Sequence, residues 1–314
     1  MMIKRSIPVK LEVLVAERDS RIVEATELST GSEPRYGEGP HRMITDGLSE
    51  SLSQTLAKRV EPFELDPAIH RNFNSLRPTE DSFVEFASRF GLLHGGLEVR
   101  LEVPGIEINK RPIVSIVEPV ESWRAEVGEM QQAIRLWDWT HNRDPERLGE
   151  YLSSQGREFP AVIQASFLSG DFFRPAMFLV AEAIDKRLAG ETDVCFAENS
   201  NPPENLLVLK VKSLRAGLWL MLATEIHDRK KYKPCAQCGK WFEIKTGSRR
   251  STRVYCSNAC RTRAHRERQD EARRLYGEGT PINKIAVLLE ADSNTIEKWV
   301  AGISRVGDQK NQRS

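Results

Sequence analysis

Four of the five cysteines fall within one short stretch, as Cys235-x2-Cys238 and Cys256-x3-Cys260 with seventeen residues between the pairs. Thiols at this spacing are soft ligands for a tetrahedral divalent ion, and Zn²⁺ bound by four cysteines is the expected occupant. All four coordination positions would then be filled by protein, so the metal is expected to be structural, with no open place for a reacting water. His265 is the alternative donor, replacing one cysteine. The fifth cysteine, Cys195, stands alone and is read as an inert thiol.

The same stretch concentrates positive charge. Residues 229–274 hold 15 Lys and Arg against 4 Asp and Glu, whereas residues 1–228 carry 26 against 36. A basic segment joined to an acidic body points to a polyanionic partner. Arg249, Arg250 and Arg253 surround a turn between the cysteine pairs, and Arg261, Arg263, Arg266 and Arg268 follow the last cysteine. These seven are the candidate phosphate contacts, because a guanidinium pairs with phosphate in a fixed fork geometry.

The elements that must hold these groups follow from local pattern. Gly239 suits a tight knuckle after Cys238, and "WFEI", "KTGSRR" and "TRVY" predict a hairpin over 241–255. Ser257 is a helix cap that places Cys260 in the first turn, where helix N–H groups favour thiolates. Knuckle, hairpin and helix follow one another in the order of a treble-clef module. "CAQCGKWFE" and "YCSNACRTRAHRER" resemble the CGNR-type zinc finger of bacterial transcription regulators over about 231–268. Cys260 is followed by Arg-Thr-Arg rather than Gly-Asn-Arg, and the last two cysteines lie one residue closer than in that family. The resemblance implies a helical ligand-sensing domain ahead of the zinc module.

Residues 278–300, "EGTPINKIAVLLEADSNTIEKWV", resemble the helix-turn-helix of resolvase-type recombinases through Gly279, Ile285, Ala286, Leu289, Thr295, Ile296 and Trp299. Pro281 suits a helix start, Ile282, Ile285, Ala286 and Leu289 share a face, and Asp292 or Ser293 caps a second helix. Glu290 stands where that turn commonly has glycine. The resemblance puts Ser293, Asn294, Thr295 and Lys298 on the exposed side of the second helix, as candidate readers of DNA.

Ahead of these lies an acidic body. Residues 8–16, 97–103, 161–167 and 206–211 predict strands, and residues 29–46 a loop. Helices are predicted from Thr79, Glu121, Asp144, Pro175 and Ser213, the second with Trp123, Val127, Met130, Ile134 and Trp137 on one face. The histidines are scattered, and no spacing singles out Glu80, Asp81 or Asp171 for catalysis. No apolar run reaches the ~18 residues of a membrane span.

The expected fold is therefore multi-domain: an α+β body over 1–228, a four-cysteine zinc module over 229–268, a helix-turn-helix over 269–302 and a tail over 303–314. The expected function is that of a cytoplasmic, non-enzymatic regulator that binds double-stranded DNA, with a homodimer and a small-molecule effector on the body as further expectations. RNA binding, or an enzymatic body targeted to nucleic acid, are the alternatives.

Overall fold

The computed structural model describes the backbone of residues 9–10, 13–16, 21–25, 41–45, 57–94, 97–101, 113–199, 204–244 and 252–303, with side chains over 61–94, 118–194, 209–244 and 252–303. The chain divides into two compact units, Met1–Lys231 and Tyr232–Ser314.

The first unit is mostly helical, with small sheets beside the helices. Strands β3 (Arg21–Ala25), β4 (His41–Thr45), β7 (Ile113–Pro119) and β6 (Leu97–Leu101) form an antiparallel sheet in that order. β2 (Val13–Ala16) pairs antiparallel with β5 (Ala57–Val60). In a third sheet β1 (Val9–Lys10) runs parallel to β9 (Glu204–Val211), which pairs antiparallel with β8 (Thr192–Asn199). Two expectations change here. Residues 8–16 supply two short strands in different sheets, and the expected loop over 29–46 contains β4, which is held on both sides by β3 and β7.

Among the described residues eight helices pack in this unit: α1 (Pro62–Leu65), α2 (Ile69–Asn74), α3 (Glu80–Phe90), α4 (Val120–His141), α5 (Pro145–Ser154), α6 (Ala161–Leu168), α7 (Phe173–Leu188) and α8 (Leu214–Asp228). The apolar stripe of α4 is buried throughout, with Trp123 and Met130 wholly inaccessible. Complete burial of such a side chain contributes roughly 1.5–3 kcal/mol. The expected caps hold at α5, where the Asp144 side chain accepts from Arg147 N, and at α8, where Ser213 Oγ accepts from Ala216 N. At α3 the expected cap is absent in detail: the Thr79 hydroxyl bonds the Ser82 hydroxyl at 2.6 Å instead of an amide. Gly217 lets α8 approach α1, since a Cβ there would lie 2.2 Å from the Phe63 ring.

The predicted strand over 161–167 is helix α6. Val, Ile and Phe favour strands only where a pleated neighbour receives them. Here Ile163 and Phe167, four apart, pack together on the helical core, and that spacing belongs to a helix.

Three tryptophans reveal a pattern that local sequence does not show. Each indole N–H donates to a buried glutamate: Trp123 to Glu118, Trp137 to Glu225, and Trp219 to Glu126. Glu225 also accepts from His70 Nε2 at 2.7 Å and from Arg71, whose guanidinium forks onto Asp138 at 2.8 Å. Burial raises the Glu225 carboxyl, but the hydrogen bonds from Arg71 and His70 outweigh it and hold it at about 2. Burial lowers His70, against the pull of Glu225. Arg187 lies over the Trp219 ring at 5.1 Å and bridges Glu126 and Glu129.

The second unit contains strands β10 (Lys231–Pro234, its first residue being the last of the body) and β11 (Trp241–Ile244), which pair with each other, and helices α9 (Asn258–Gly277), α10 (Ile282–Leu288) and α11 (Ser293–Val300). The predicted hairpin over 241–255 takes a different form. β11 pairs with β10 ahead of the knuckle, and residues 252–255 are not a strand; Val254 accepts from Ala236 N at 3.0 Å instead. Residues 245–251 and 304–314 lie outside the described residues. Among the described residues no helix is long and apolar enough to cross a membrane.

Candidate metal centre

The four thiols converge from three directions. Cys235 directly follows β10 and is buried; Cys238 closes the knuckle, where Gly239 adopts φ 72° and its N–H returns to Cys235 O at 2.9 Å. Cys256 arrives on the return segment, and Cys260 lies in the first turn of α9, its N–H held by the Ser257 cap at 3.1 Å.

All four sulfurs lie within 4.8 Å of one another, with Cys238–Cys256 at 3.6 Å and Cys256–Cys260 at 3.5 Å. A tetrahedron with ~2.3 Å metal–sulfur bonds has edges of ~3.8 Å, so the cage matches that size. The electrostatics agree. Burial raises the Cys235 thiol, but the amides of Cys256, Cys238 and Gln237 outweigh it and hold it at about 6. Cys256 is pushed up to about 12 by burial and by the Cys260, Cys238 and Cys235 thiols. The Cys235 thiolate forms readily while Cys238 and Cys256 resist joining it, because like charges would be crowded together. A cation at the centre removes that repulsion, and the four cysteines are placed to bind a metal ion.

His265 is not a fifth member of this group. Its ring stands edge-on to Trp299, with centroids 5.3 Å apart.

The seven candidate arginines separate into three kinds. Arg249 and Arg250 lie outside the described residues. Arg253, expected to face a phosphate, bonds the backbone of its own loop: Nε donates to Tyr255 O at 2.6 Å, another guanidinium nitrogen donates to Cys256 O, and the guanidinium lies 5.3 Å from the Phe242 ring. Its position fastens the Cys256 loop. Arg261, Arg263, Arg266 and Arg268 are exposed on α9, and among the described residues none of them pairs with a carboxylate. Farther along the helix the pattern reverses, for Arg274 pairs with Glu271 and Glu278, and Arg273 approaches Asp270 at 3.4 Å.

α9 continues without a break past 268/269, the division drawn from the sequence. Ala272, Ile285, Ala286, Ile296 and Val300 form a small core joining α9, α10 and α11, with Trp299 and Leu289 packed against it. Asp292, the actual cap of α11, accepts from Thr295 N at 2.8 Å and from Thr295 Oγ1 at 2.5 Å. The Thr295 hydroxyl, expected to be a contact, is therefore engaged by the cap. Asn294 and Lys298 are exposed and Ser293 is half-buried. Glu290 adopts φ 48°, the left-handed turn that its position implies.

Two fasteners were not legible in the motif. Arg273 Nε donates to Trp299 O at 3.0 Å, and Gln237 Nε2 donates to Glu267 at 2.8 Å, tying the end of α11 and the knuckle to the same helix.

Comparison with family models, with curated proteins and with solved structures returns no match for this chain. What resemblance exists is carried by the motif residues alone.

Proposed function

We propose that residues 232–303 form a Zn²⁺-structured unit that binds double-stranded DNA, of the kind found in bacterial transcription regulators. One observation carries the reading: four exposed arginines, without carboxylate partners among the described residues, stand on the first turns of the helix that walls the thiol cage. A surface charge left unanswered by the fold is available to a partner, and a helix anchored by a metal holds such charges in fixed spacing.

Three further features support it. An open hollow beside the α9 N-terminus is lined by Thr252, Tyr255, Ser257, Asn258 and Arg261, groups suited to a backbone phosphate. α10 and α11 meet across a turn, with Asn294 and Lys298 outward, as a groove-reading helix requires. Four thiolates in a closed tetrahedron favour Zn²⁺ in a structural role. In this reading the metal folds the cage, the α9 arginines bind phosphates, and α11 reads base edges.

The test is selection of bound duplexes from a random pool by the metal-loaded full-length protein, repeated after chelation and with structured RNA as competitor. Metal analysis is expected to show one zinc per chain, and the selection a preferred sequence that disappears with the metal. Each phosphate contact adds ~0.9 to the slope of log affinity against log salt, so a steep slope is expected. Binding indifferent to salt and metal overturns the reading, and preference for RNA replaces DNA with RNA as the ligand.

A further inference from the structure

The first three turns of α9 are bare on every side but one. Of residues 258–268, all except Cys260 and Ala264 are exposed. At about 100° per residue, those two lie about 160° to either side of Thr262, so the cage stands directly behind it. Asn258 lies about 40° from Thr262 and one turn ahead of it, and the two form the front of the helix. Among the described residues neither side chain has a hydrogen-bond partner.

Charge frames this front. Arg261 and Arg268 fall about 100° and 120° to one side of Thr262, and Arg266 and Arg263 about 40° and 100° to the other. Two short, uncharged, hydrogen-bonding side chains thus stand between two edges of guanidinium. The surface of α11 and the turn before it differs. There the exposed Glu290, Asp292 and Glu297 outnumber Lys298, and the Thr295 hydroxyl is held by the cap. The three-helix core lies on the same side of α9 as the front. Ala272, Arg273 and Tyr276 fall within about 80° of Thr262, His265 meets Trp299 edge-on, and Arg273 donates to Trp299 O. The front of α9 and α11 therefore border one corner, open to a single ligand.

We infer that Asn258 and Thr262 form a second base-reading element, facing the major groove of the duplex that α11 contacts, with the arginines on the two flanking backbones. The inference rests on the DNA-binding reading above and adds a specificity-determining site to it. An α-helix about 10–12 Å across fits a major groove about 12 Å wide. Phosphates then lie to either side, where the two arginine edges point. Asparagine pairs in bidentate fashion with adenine N6 and N7, and threonine offers a hydroxyl for a base edge and a methyl for that of thymine. Four residues of helix rise about 6 Å, close to two base-pair steps of ~3.4 Å, so the positions read lie about two base pairs apart. The arginine edges supply affinity for any duplex, and the uncharged front discriminates among sequences.

Selection from a random duplex pool by the full-length, zinc-loaded protein tests it, run in parallel for wild type, Asn258→Ala, Thr262→Ala and Asn294→Ala. The two α9 substitutions remove no charge and fall at exposed positions, so zinc content, thermal unfolding and salt slope are expected to stay at wild-type values. Asn258→Ala is expected to relax one adenine of the preferred site by about tenfold, Thr262→Ala to relax a position about two base pairs away, and Asn294→Ala to relax different positions. Wild-type preference retained by both α9 variants overturns the inference and leaves the DNA-binding reading in place. A uniform loss of affinity for all sequences does the same, because it makes Asn258 a contact to a phosphate in the hollow that it lines. Absence of duplex binding by the wild-type protein overturns the DNA-binding reading itself, and this inference with it.

Discussion

Arginine serves opposite ends in the two units. In the body, Arg71 and Arg187 are only 4% and 7% accessible, and each is answered: Arg71 by Glu225 and Asp138, Arg187 by Glu126, Glu129 and the face of Trp219. In the second unit Arg261, Arg263, Arg266 and Arg268 are exposed and, among the described residues, unanswered by a carboxylate. A buried guanidinium without its carboxylates is a liability to the fold, whereas an exposed one is stabilised by water. The contrast teaches that arginines paired within the fold, such as Arg71 and Arg187, are fasteners, whereas the four on the first turns of α9 are a surface property, so substituting the former should change stability and substituting the latter should change binding.

The largest expected effect breaks the fastener. Glu225→Ala leaves Arg71 and His70 buried without their shared partner, and should destabilise the body by about 3–5 kcal/mol, read from urea unfolding. A loss below 1 kcal/mol would show that the body does not depend on this carboxylate. Next, changing Arg261, Arg263, Arg266 and Arg268 together to Gln should lower the salt slope of duplex binding by about 3–4, at ~0.9 per phosphate contact, while thermal unfolding of the protein stays within the range of ordinary surface changes. A fall in stability without a change in slope would invert the comparison.

Acidity sharpens it further. Glu225 is depressed to about 2 from an ordinary value of 4.5, so its contribution is full above 4.5 and lost as pH falls toward 2. His70 is lowered from 6.5, so the unfolded chain takes up its proton first and stability falls as pH drops below 6.5. Both shifts act in the same direction, and body unfolding followed by tryptophan fluorescence should show stability declining below about pH 6.5 and more steeply below 4.5. Flat stability from pH 7 to 4 would count against the buried network. The smallest effect concerns backbone: Glu290→Gly relieves a left-handed residue and should stabilise the α10–α11 turn by about 0.5–1 kcal/mol, measured as a rise in the unfolding midpoint of the second unit.

Legibility in the sequence followed the range of the interaction. The cage was readable because Cys235, Cys238, Cys256 and Cys260 report their geometry through short spacings, and Ser257, Asp144 and Ser213 announce helix starts three residues away from the amides they hold. The stripe of α4 was readable for the same reason. The Glu225 network was not, since its partners His70 and Arg71 lie about 155 residues away along the chain and no local pattern joins them. α6 was misread because Val162, Ile163 and Phe167 favour strands, whereas the helical core that Ile163 and Phe167 meet decides the outcome. The partner of β11 was misread because the strand before the knuckle, KYKP, is only four residues long and ends in proline, too short to announce itself. Arg253 was assigned outward on charge alone, when the carbonyls of its own loop are closer than any ligand.

α9 carries a final consequence. Its twenty residues, about 30 Å of helix, hold Cys260 near one end and Ala272, set into the three-helix core, near the other. Angular phase along that rod is therefore fixed by residue count. Inserting a single residue between Cys260 and Ala272 would rotate one end against the other by about 100°, so length variation should be tolerated in the loops and refused in this rod.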